Sequence, residues 1–483
     1  MKASEEPVPT GSQSAHSSCE ADQHPWSEGA QEDGCAMNQK KGHLPAAVAN
    51  EPKQAGEAQN RKWRWAEPVV WTKRMLAALE RGVKGGKWFA LIDKIYDPRA
   101  LQSAFASVKR NDGAAGSDGQ SVKQFGAKKE EEILRLSEEL RAQSYHPRAV
   151  KRVWIEKPGS KDKRPLGIPA VRDRVVQMSV RQAIEPIFES EFLPQSYGFR
   201  PGRGCKDALR RVKELLKAGH HHVVDADLKS CFDSIPHEGL MERVSEKISD
   251  GRVLALVESF LKAGVLNELR EWEPSLSGTP QGAVISPLLA NIYLHPLDLL
   301  MQQSGVEMVR YADDFVLLCR TEEEAQVALE RVRAWTQAEG LQLHPEKTRV
   351  VDMTQPKAGF DFLGYHFYHG GKRWPRKKSK VKLRHKLRPL TKRTSGESLS
   401  AIIQKINPIL RGWHGYFRHV TGRALVDIDG WVRGRLRSIL KRREGRRGQA
   451  RQVDNERWPN AYFDRNHLFS LHGEWRRQVQ SGR

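Results

Sequence analysis

Tyr311-Ala312-Asp313-Asp314 sets two carboxylates side by side between the apolar runs EMVR (307–310) and FVLLC (315–319). The pattern reads as a β-hairpin with acids at its tip. Such like charges repel, and the pair is costly unless something shares it. A lone pair of acids in a turn is usually just solvated, but here there is a second acidic strand. HHVVDADL (221–228) alternates, with Val223, Asp225 and Asp227 on one face and Val224 and Ala226 on the other. Hairpin and strand together can bring three carboxylates to one sheet edge. An oxygen-only ligand set favours Mg2+. Two such ions, about 3.5–4 Å apart, suit phosphoryl transfer: one activates an attacking hydroxyl and the other steadies the leaving pyrophosphate.

The surrounding elements must position these acids. Residues 61–145 read mostly as helix, with helical apolar spacing from Trp71 to Ile95 and an amphipathic helix at EEEILRLSEELRA (130–142). The loop RNDGAAGSDG (110–119) separates them. VWIEK (153–157) and RPLGIP (164–169) form a predicted hairpin with a basic tip, PGSKDK. A helix with Val176, Val180, Ile184 and Ile187 on one face follows. Past Gly371, Leu399, Ile402, Ile403, Ile406, Leu410, Trp413 and Phe417 recur at helical steps, with a kink expected at Pro408. A later helix sets Ile428, Trp431, Val432, Leu436 and Ile439 opposite Arg433, Arg435, Arg437 and Lys441.

The 483-residue chain carries a formal net charge of +22, at a pI of about 9.8. The charge is concentrated: residues 371–450 hold 24 Lys and Arg against 4 acids, a net of +20. A polyanion is therefore the expected partner, because clustered Lys and Arg release counterions from a phosphate backbone. Residues 1–60 are acidic, with 4 Lys against 9 acids, and their polar composition predicts disorder. The five cysteines, Cys19, Cys35, Cys205, Cys231 and Cys319, form no CxxC pair and no zinc spacing, which leaves the reducing cytoplasm as the default. The N-terminal residues lack the apolar core of a signal peptide. No run of about 18 apolar residues exists, so no membrane span is expected.

Eight blocks resemble the reverse transcriptases encoded by group II introns, also called maturases, and stand in that family's order. They are KPGSKDKRPLGIPAVRDRVVQ (157–177), SYGFRPGRGCKDAL (196–209), DADLKSCFDSI (225–235), GTPQGAVISPLLANIYLHPLD (278–298), RYADDFVLLC (310–319), HPEKTRVV (344–351), GFDFLGYHF (359–367) and INPILRGWHGYF (406–417). The last block is similar to the thumb segment of the intron-encoded group.

The resemblance implies roles. Asp227 is the family's first metal ligand, although Asp225 rivals it by geometry. Asp313 is the second, and Asp314 the third, less direct carboxylate. Phe232 is the expected steric gate against a 2′-hydroxyl, and Gln281 lines the nucleotide pocket beside Gly282, which allows close backbone approach. Lys157, Lys163 and Arg164 on the basic hairpin would meet the triphosphate. Lys347 would lie near the nucleotide, and one role open to it is general acid for pyrophosphate. Tyr311 would abut the primer end. Arg200 and Arg203 could face template, with local ion pairing as the alternative. Arg411, Arg433 and Arg437 are the expected RNA contacts, while Trp413 and Phe417 keep core spacing.

The fold implied is α+β, a right-hand polymerase: fingers and palm with an antiparallel sheet over 61–370, and a basic helical thumb over 371–450. The tail, 451–483, is too short for a nuclease domain and has no cysteines, so no endonuclease activity is expected. The activity implied is RNA-directed DNA synthesis with two Mg2+ ions, an RNA template, a DNA primer and dNTPs. Binding of the parent intron RNA is implied as well, and contact with target DNA is possible. Oligomeric state is left open. The alternatives are an RNA-dependent RNA polymerase, a non-enzymatic splicing cofactor, and a reverse transcriptase of another lineage such as a defence-associated one.

Overall fold

The computed structural model describes residues 62–83, 85–156, 163–267, 269, 271–448 and 451–481. The acidic segment 1–60 and Lys157 lie outside the described residues.

The strands are β1 (Val150–Glu156), β2 (Lys163–Ile168), β3 (His222–Asp227), β4 (Val265–Leu266), β5 (Trp272–Glu273), β6 (Glu307–Tyr311), β7 (Asp314–Cys319), β8 (Arg349–Asp352), β9 (Gly359–Phe362), β10 (Tyr365–Tyr368) and β11 (Lys372–Pro375). They form three sheets, ordered β2-β1-β4-β5, β6-β7-β3-β8 and β11-β10-β9. The second carries the acids and is antiparallel throughout.

Its strands alternate as the sequence predicts. Val224, Ala226, Phe315, Leu317 and Met308 enter one core, shared with the helices before and around the sheet. Val223, Val309, Val316, Leu318 and Val351 enter a second core, shared with the C-terminal helices. The sheet is thus a septum with an apolar layer on each face, and Asp225 and Asp227 lie on the face toward the C-terminal part.

Helices Ser286–Gln303 and Glu322–Ala338 pack against the sheet, and Pro98–Asn111, Lys129–Arg141 and Val171–Glu189 join the first core. The helix predicted over Trp71–Ile95 is broken. It runs Lys73–Arg81 and resumes at Ile92–Tyr96. Gly82, Gly85 and Gly86, all at positive φ, turn the chain between the two. Toward the C-terminus, Leu399–Phe417 continues through Pro408 as one helix, so the expected kink does not divide it.

The tail is structured. Helices Gln452–Arg457, Asn460–Arg465 and Leu471–Ser481 fold back on Gly422–Arg443, burying Trp458, Phe463, Leu468 and Leu471 in the second core. Asp429 caps the last helix, accepting from Leu471 N (3.0 Å), His472 N (3.0 Å) and Ser470 Oγ (2.8 Å).

Candidate active site

Asp227 and Asp314 are direct cross-strand partners on β3 and β7, and Tyr311 pairs with Asp314 across the β6–β7 hairpin. The two-residue turn between them is Ala312-Asp313. Ala312 sits at φ +57°, a left-handed conformation that costs an L-residue roughly 1–2 kcal/mol. The surroundings enforce it. Tyr197 N donates to Arg310 O (2.8 Å) and Arg310 N to Gln195 O (2.9 Å), so the segment 195–197 runs along β6 as a further parallel neighbour. Gly198 then passes so close that a Cβ there would lie 2.3 Å from Ala312 N. The fully buried Arg310 guanidinium pairs with Asp298 and also donates to Ala312 O (3.1 Å) and Asn291 Oδ1 (3.0 Å). Asn291 in turn donates to Gly198 O (2.8 Å).

The acids repel, as their proximity requires. Burial, joined by the charges of Asp313, Asp227 and Asp225, pushes the Asp314 carboxyl up to about 8. Burial, with Asp227 beside it, pushes Asp313 up to about 6. Asp225 also rises to about 6 through burial, although Arg349 lies 3.5 Å away and opposes the shift. Such uncompensated negative charge is what a divalent cation relieves, so the donor set fits Mg2+. Among the described residues, no group of three His, Cys, Asp or Glu side chains is gathered so that it could hold an ion as it stands. Lys347 Nζ lies 2.5 Å from Asp227 Oδ2. The chain brings it there by extending past β3. Leu228 bridges Leu343, Lys229 N donates to Gln342 O, and His344 N donates to Asp227 O (2.8 Å).

The residues expected on the nucleotide side are joined through the loop 278–282. Ser230, at φ +49°, turns the chain into the short helix Cys231–Ser234, which holds Phe232. Thr279 N donates to Phe232 O (2.6 Å), and Gly278 approaches the Asp233 backbone so closely that a Cβ would come within 2.7 Å. Gln281 donates from its side chain to Asp233 (3.2 Å), while its carbonyl accepts from Gly167 N on β2 (2.6 Å). Gly282, at φ +108°, leaves room for Gly167 O. The hairpin carrying Lys163 and Arg164 is thereby stitched to the loop carrying Gln281.

The family comparisons match this arrangement. Residues 155–367 match the family described as reverse transcriptase (RNA-dependent DNA polymerase), and residues 371–458 match the group II intron maturase-specific domain. Group II intron-encoded protein LtrA of Lactococcus lactis subsp. cremoris is 42% identical over 181 residues, which span 38% of this chain and 30% of LtrA. Protein YkfC of Escherichia coli (strain K12) is 35% identical over 317 residues, covering 57% of this chain and 82% of YkfC. The chain belongs to the group II intron-encoded reverse transcriptases. Nuclear intron maturase 4 of Arabidopsis thaliana matches more briefly, 32% identical over 138 residues, or 29% of this chain and 17% of that protein.

Two expected contact residues of this reverse transcriptase stand elsewhere. Arg200 is not set to face template. Its side chain is 2% exposed, paired two-pronged with Glu189 (2.9 and 2.8 Å) and donating to the carbonyls of Phe192, Leu193 and Ser196. Arg437 is buried beneath the folded-back tail, donating to Trp458 O (2.8 Å) and Asn460 Oδ1 (2.9 Å), with its guanidinium over Phe463. Lys441 beside it pairs with Asp454 (3.1 Å). The face read as RNA-contacting is, at those positions, a second packing face. Arg203 is partly buried, donating to Pro194 O (2.8 Å) and lying over Tyr197. Arg411 is exposed and Arg433 partly so.

The structure also adds residues to the site. Arg349 reaches Asp225, and Arg376 bears electrostatically on Asp314. Arg376 opens RKKSK, the start of helix Lys377–Leu387, whose first turn is basic with no acid to favour the helix dipole. That run was visible in the sequence as a charge block. Its nearness to the aspartates was not.

Proposed function

We propose that this protein is an RNA-directed DNA polymerase that joins deoxynucleotides to a primer 3′-end on an RNA template, and that it binds its parent intron RNA to assist splicing and to copy it. The observation that carries the reading is the cross-strand pair Asp227–Asp314, with Asp313 at the turn between β6 and β7.

Asp227 and Asp313, with Asp314 behind them, would hold two Mg2+ ions. When bound, the ions supply the charge that activates the primer hydroxyl and steadies the leaving pyrophosphate. The chain's own residues do the rest. Phe232 stands where an incoming sugar would pass, so that a 2′-hydroxyl meets a ring. Gln281, fixed through Asp233 and Gly167, shapes the pocket floor. Lys163 and Arg164 lie on the strand bound to that floor, suited to the triphosphate. Lys347 offsets the Asp227 charge, and its ammonium would be available to the leaving phosphate as a proton donor. The basic helix Lys377–Leu387, with Arg411 and Arg433, offers a surface for RNA backbone.

No helix among the described residues is long and apolar enough to cross a membrane. The match to LtrA covers under a third of that protein, so the breadth of activity is a matter for assay. The deciding test is primer extension on an RNA template with Mg2+ and dNTPs, wild type against Asp313→Ala. Extension by the wild type alone supports the polymerase. If neither extends while both bind structured RNA tightly, a splicing cofactor without enzymatic activity is the better reading.

A further inference from the structure

Phe199 holds a left-handed backbone, φ +56°, which is a true outlier for a bulky side chain. Its neighbours impose it. On one side, Asn291 donates to the Gly198 carbonyl (2.8 Å), and Gly198 passes too close to Ala312 to leave room for a Cβ. On the other, the buried Arg200 is locked by Glu189 and by the carbonyls of Phe192, Leu193 and Ser196. Strain of this kind persists only where the surroundings over-determine it, and it collects at active sites.

The strain has a visible result. Gly198 and Arg200 are buried, yet the ring between them is 39% exposed. A single exposed apolar side chain is ordinary. One held outward at a conformational cost, by a segment fixed on both sides, is not. The ring lies against Tyr311, with centroids 6.0 Å apart and planes tilted by 47°. Tyr311 opposes Asp314 in the ladder and Asp314 opposes Asp227, so the three side chains share one face of the sheet. Phe199 extends that row past the edge strand β6. It stands three strand spacings from Asp227, or about 14 Å, less than the width of a double helix. The cations of its loop point elsewhere: Arg200 is turned inward, and Arg203 donates to Pro194 O (2.8 Å). The ring is what the loop presents beside Tyr311.

We propose that Phe199 is a binding residue that lays its ring against the sugars of the last base pair of the primer–template duplex, seating the duplex end on Tyr311. The proposal rests on the polymerase reading above. An aromatic ring offers a nucleotide a surface that tolerates any base sequence. It neutralises no phosphate, so the contact adds nothing to the salt dependence of binding.

The test uses the full chain as wild type, Phe199→Ala, Phe199→Gly and Phe199→Tyr. Fluorescence anisotropy measures binding to a DNA primer annealed on an RNA template, and to the RNA strand alone, over a range of salt. Steady-state extension and thermal melting are measured alongside. Phe199→Ala and Phe199→Gly should each weaken binding of the primer–template roughly tenfold, the scale of one lost aromatic contact with a nucleotide. KM for the primer–template should rise by the same factor. The salt slope, the affinity for RNA alone and KM for dNTP should stay near wild type, and Phe199→Tyr, which keeps the ring, should match wild type throughout. Phe199→Gly should melt above Phe199→Ala, because glycine takes the left-handed backbone without strain. Equal binding losses in two variants of unequal stability would therefore mark a contact and not a folding defect. Unchanged primer–template affinity, an equal loss on RNA alone, an altered salt slope, or a loss in Phe199→Ala that Phe199→Gly restores would each overturn the contact while leaving the polymerase reading in place. If the wild type extends no primer, the polymerase reading falls and the contact with it.

Discussion

Arg310 and Asp298 form a two-pronged ion pair, Nε to Oδ1 at 2.7 Å and Nη2 to Oδ2 at 2.5 Å, with neither side chain reached by solvent. It lies directly beneath the turn that holds Asp313, and the same guanidinium props the carbonyl of the strained Ala312. The aspartates therefore stand on a buried charged foundation. Removing one partner leaves the other charged and unpaired. Asp298→Asn should cost about 3–5 kcal/mol in chemical denaturation. Burial would raise the Asp298 carboxyl, but Arg310, with His295 behind it, outweighs burial and holds it below its ordinary value. The pair's contribution is thus present above about pH 4, the ordinary range, and is lost as pH falls through the depressed value. A loss under 1 kcal/mol would show the pair to be dispensable.

The raised Asp314 carboxyl has the opposite sign. It ionises at about 8 in the ion-free fold and near 4 when unfolded. The folded state holds the proton more tightly between those values, so stability drains away as pH rises from about 4 to 8. Asp314→Asn should therefore melt higher than wild type at pH 8 without Mg2+, with the gap closing toward pH 4. Mg2+ should raise the wild-type melting temperature more than the variant's. Superimposable pH–melting curves would show that the repulsion is not there.

Phe232→Ala should relax sugar discrimination. The ratio of kcat/KM for dNTP over rNTP is expected to fall by roughly 10–200-fold, the range for losing one steric contact. An unchanged ratio would return Phe232 to an ordinary packing role against the first core.

Lys347→Met tests the cation on Asp227. The pair is largely exposed, 56% and 29%, so its loss should change stability by under about 1 kcal/mol. The rate should respond far more, by roughly 100-fold or greater if Lys347 delivers a proton to pyrophosphate, with the alkaline limb of the kcat profile altered. A purely electrostatic placeholder would instead tighten Mg2+ binding and leave that limb in place.

The C-terminal cations should divide into two groups. Arg437→Ala and Lys441→Ala should lower melting temperature, since each removes a buried partner of the tail. Lys377→Ala, Lys378→Ala and Arg411→Ala, all exposed, should leave stability alone and each reduce the salt slope of RNA binding by about 1. The two groups exchanging phenotypes would refute the assignment.

Much of the site was legible from residue order. The alternation of Val223, Asp225 and Asp227 against Val224 and Ala226 predicted which face each takes, because a strand's two-residue period leaves no other choice. The acidic pair between two apolar runs likewise had to be a hairpin tip. What a sequence cannot state is which element lies over a given side chain. Arg200 and Arg437 look like surface cations until Glu189 and the tail are seen to close on them, and desolvation then forces each to spend its donors on carbonyls and carboxylates. Lys347 stands 120 residues from Asp227 and meets it only because the chain pairs on past β3. Phe199 reads as one more aromatic of a loop, and only packing sets its ring against Tyr311. Local periodicity determined the strands, the hairpin and the acids they carry. Long-range packing decided which charges are buried, which are paired and which remain for the substrate, because burial and distance belong to the fold and not to spacing along the chain.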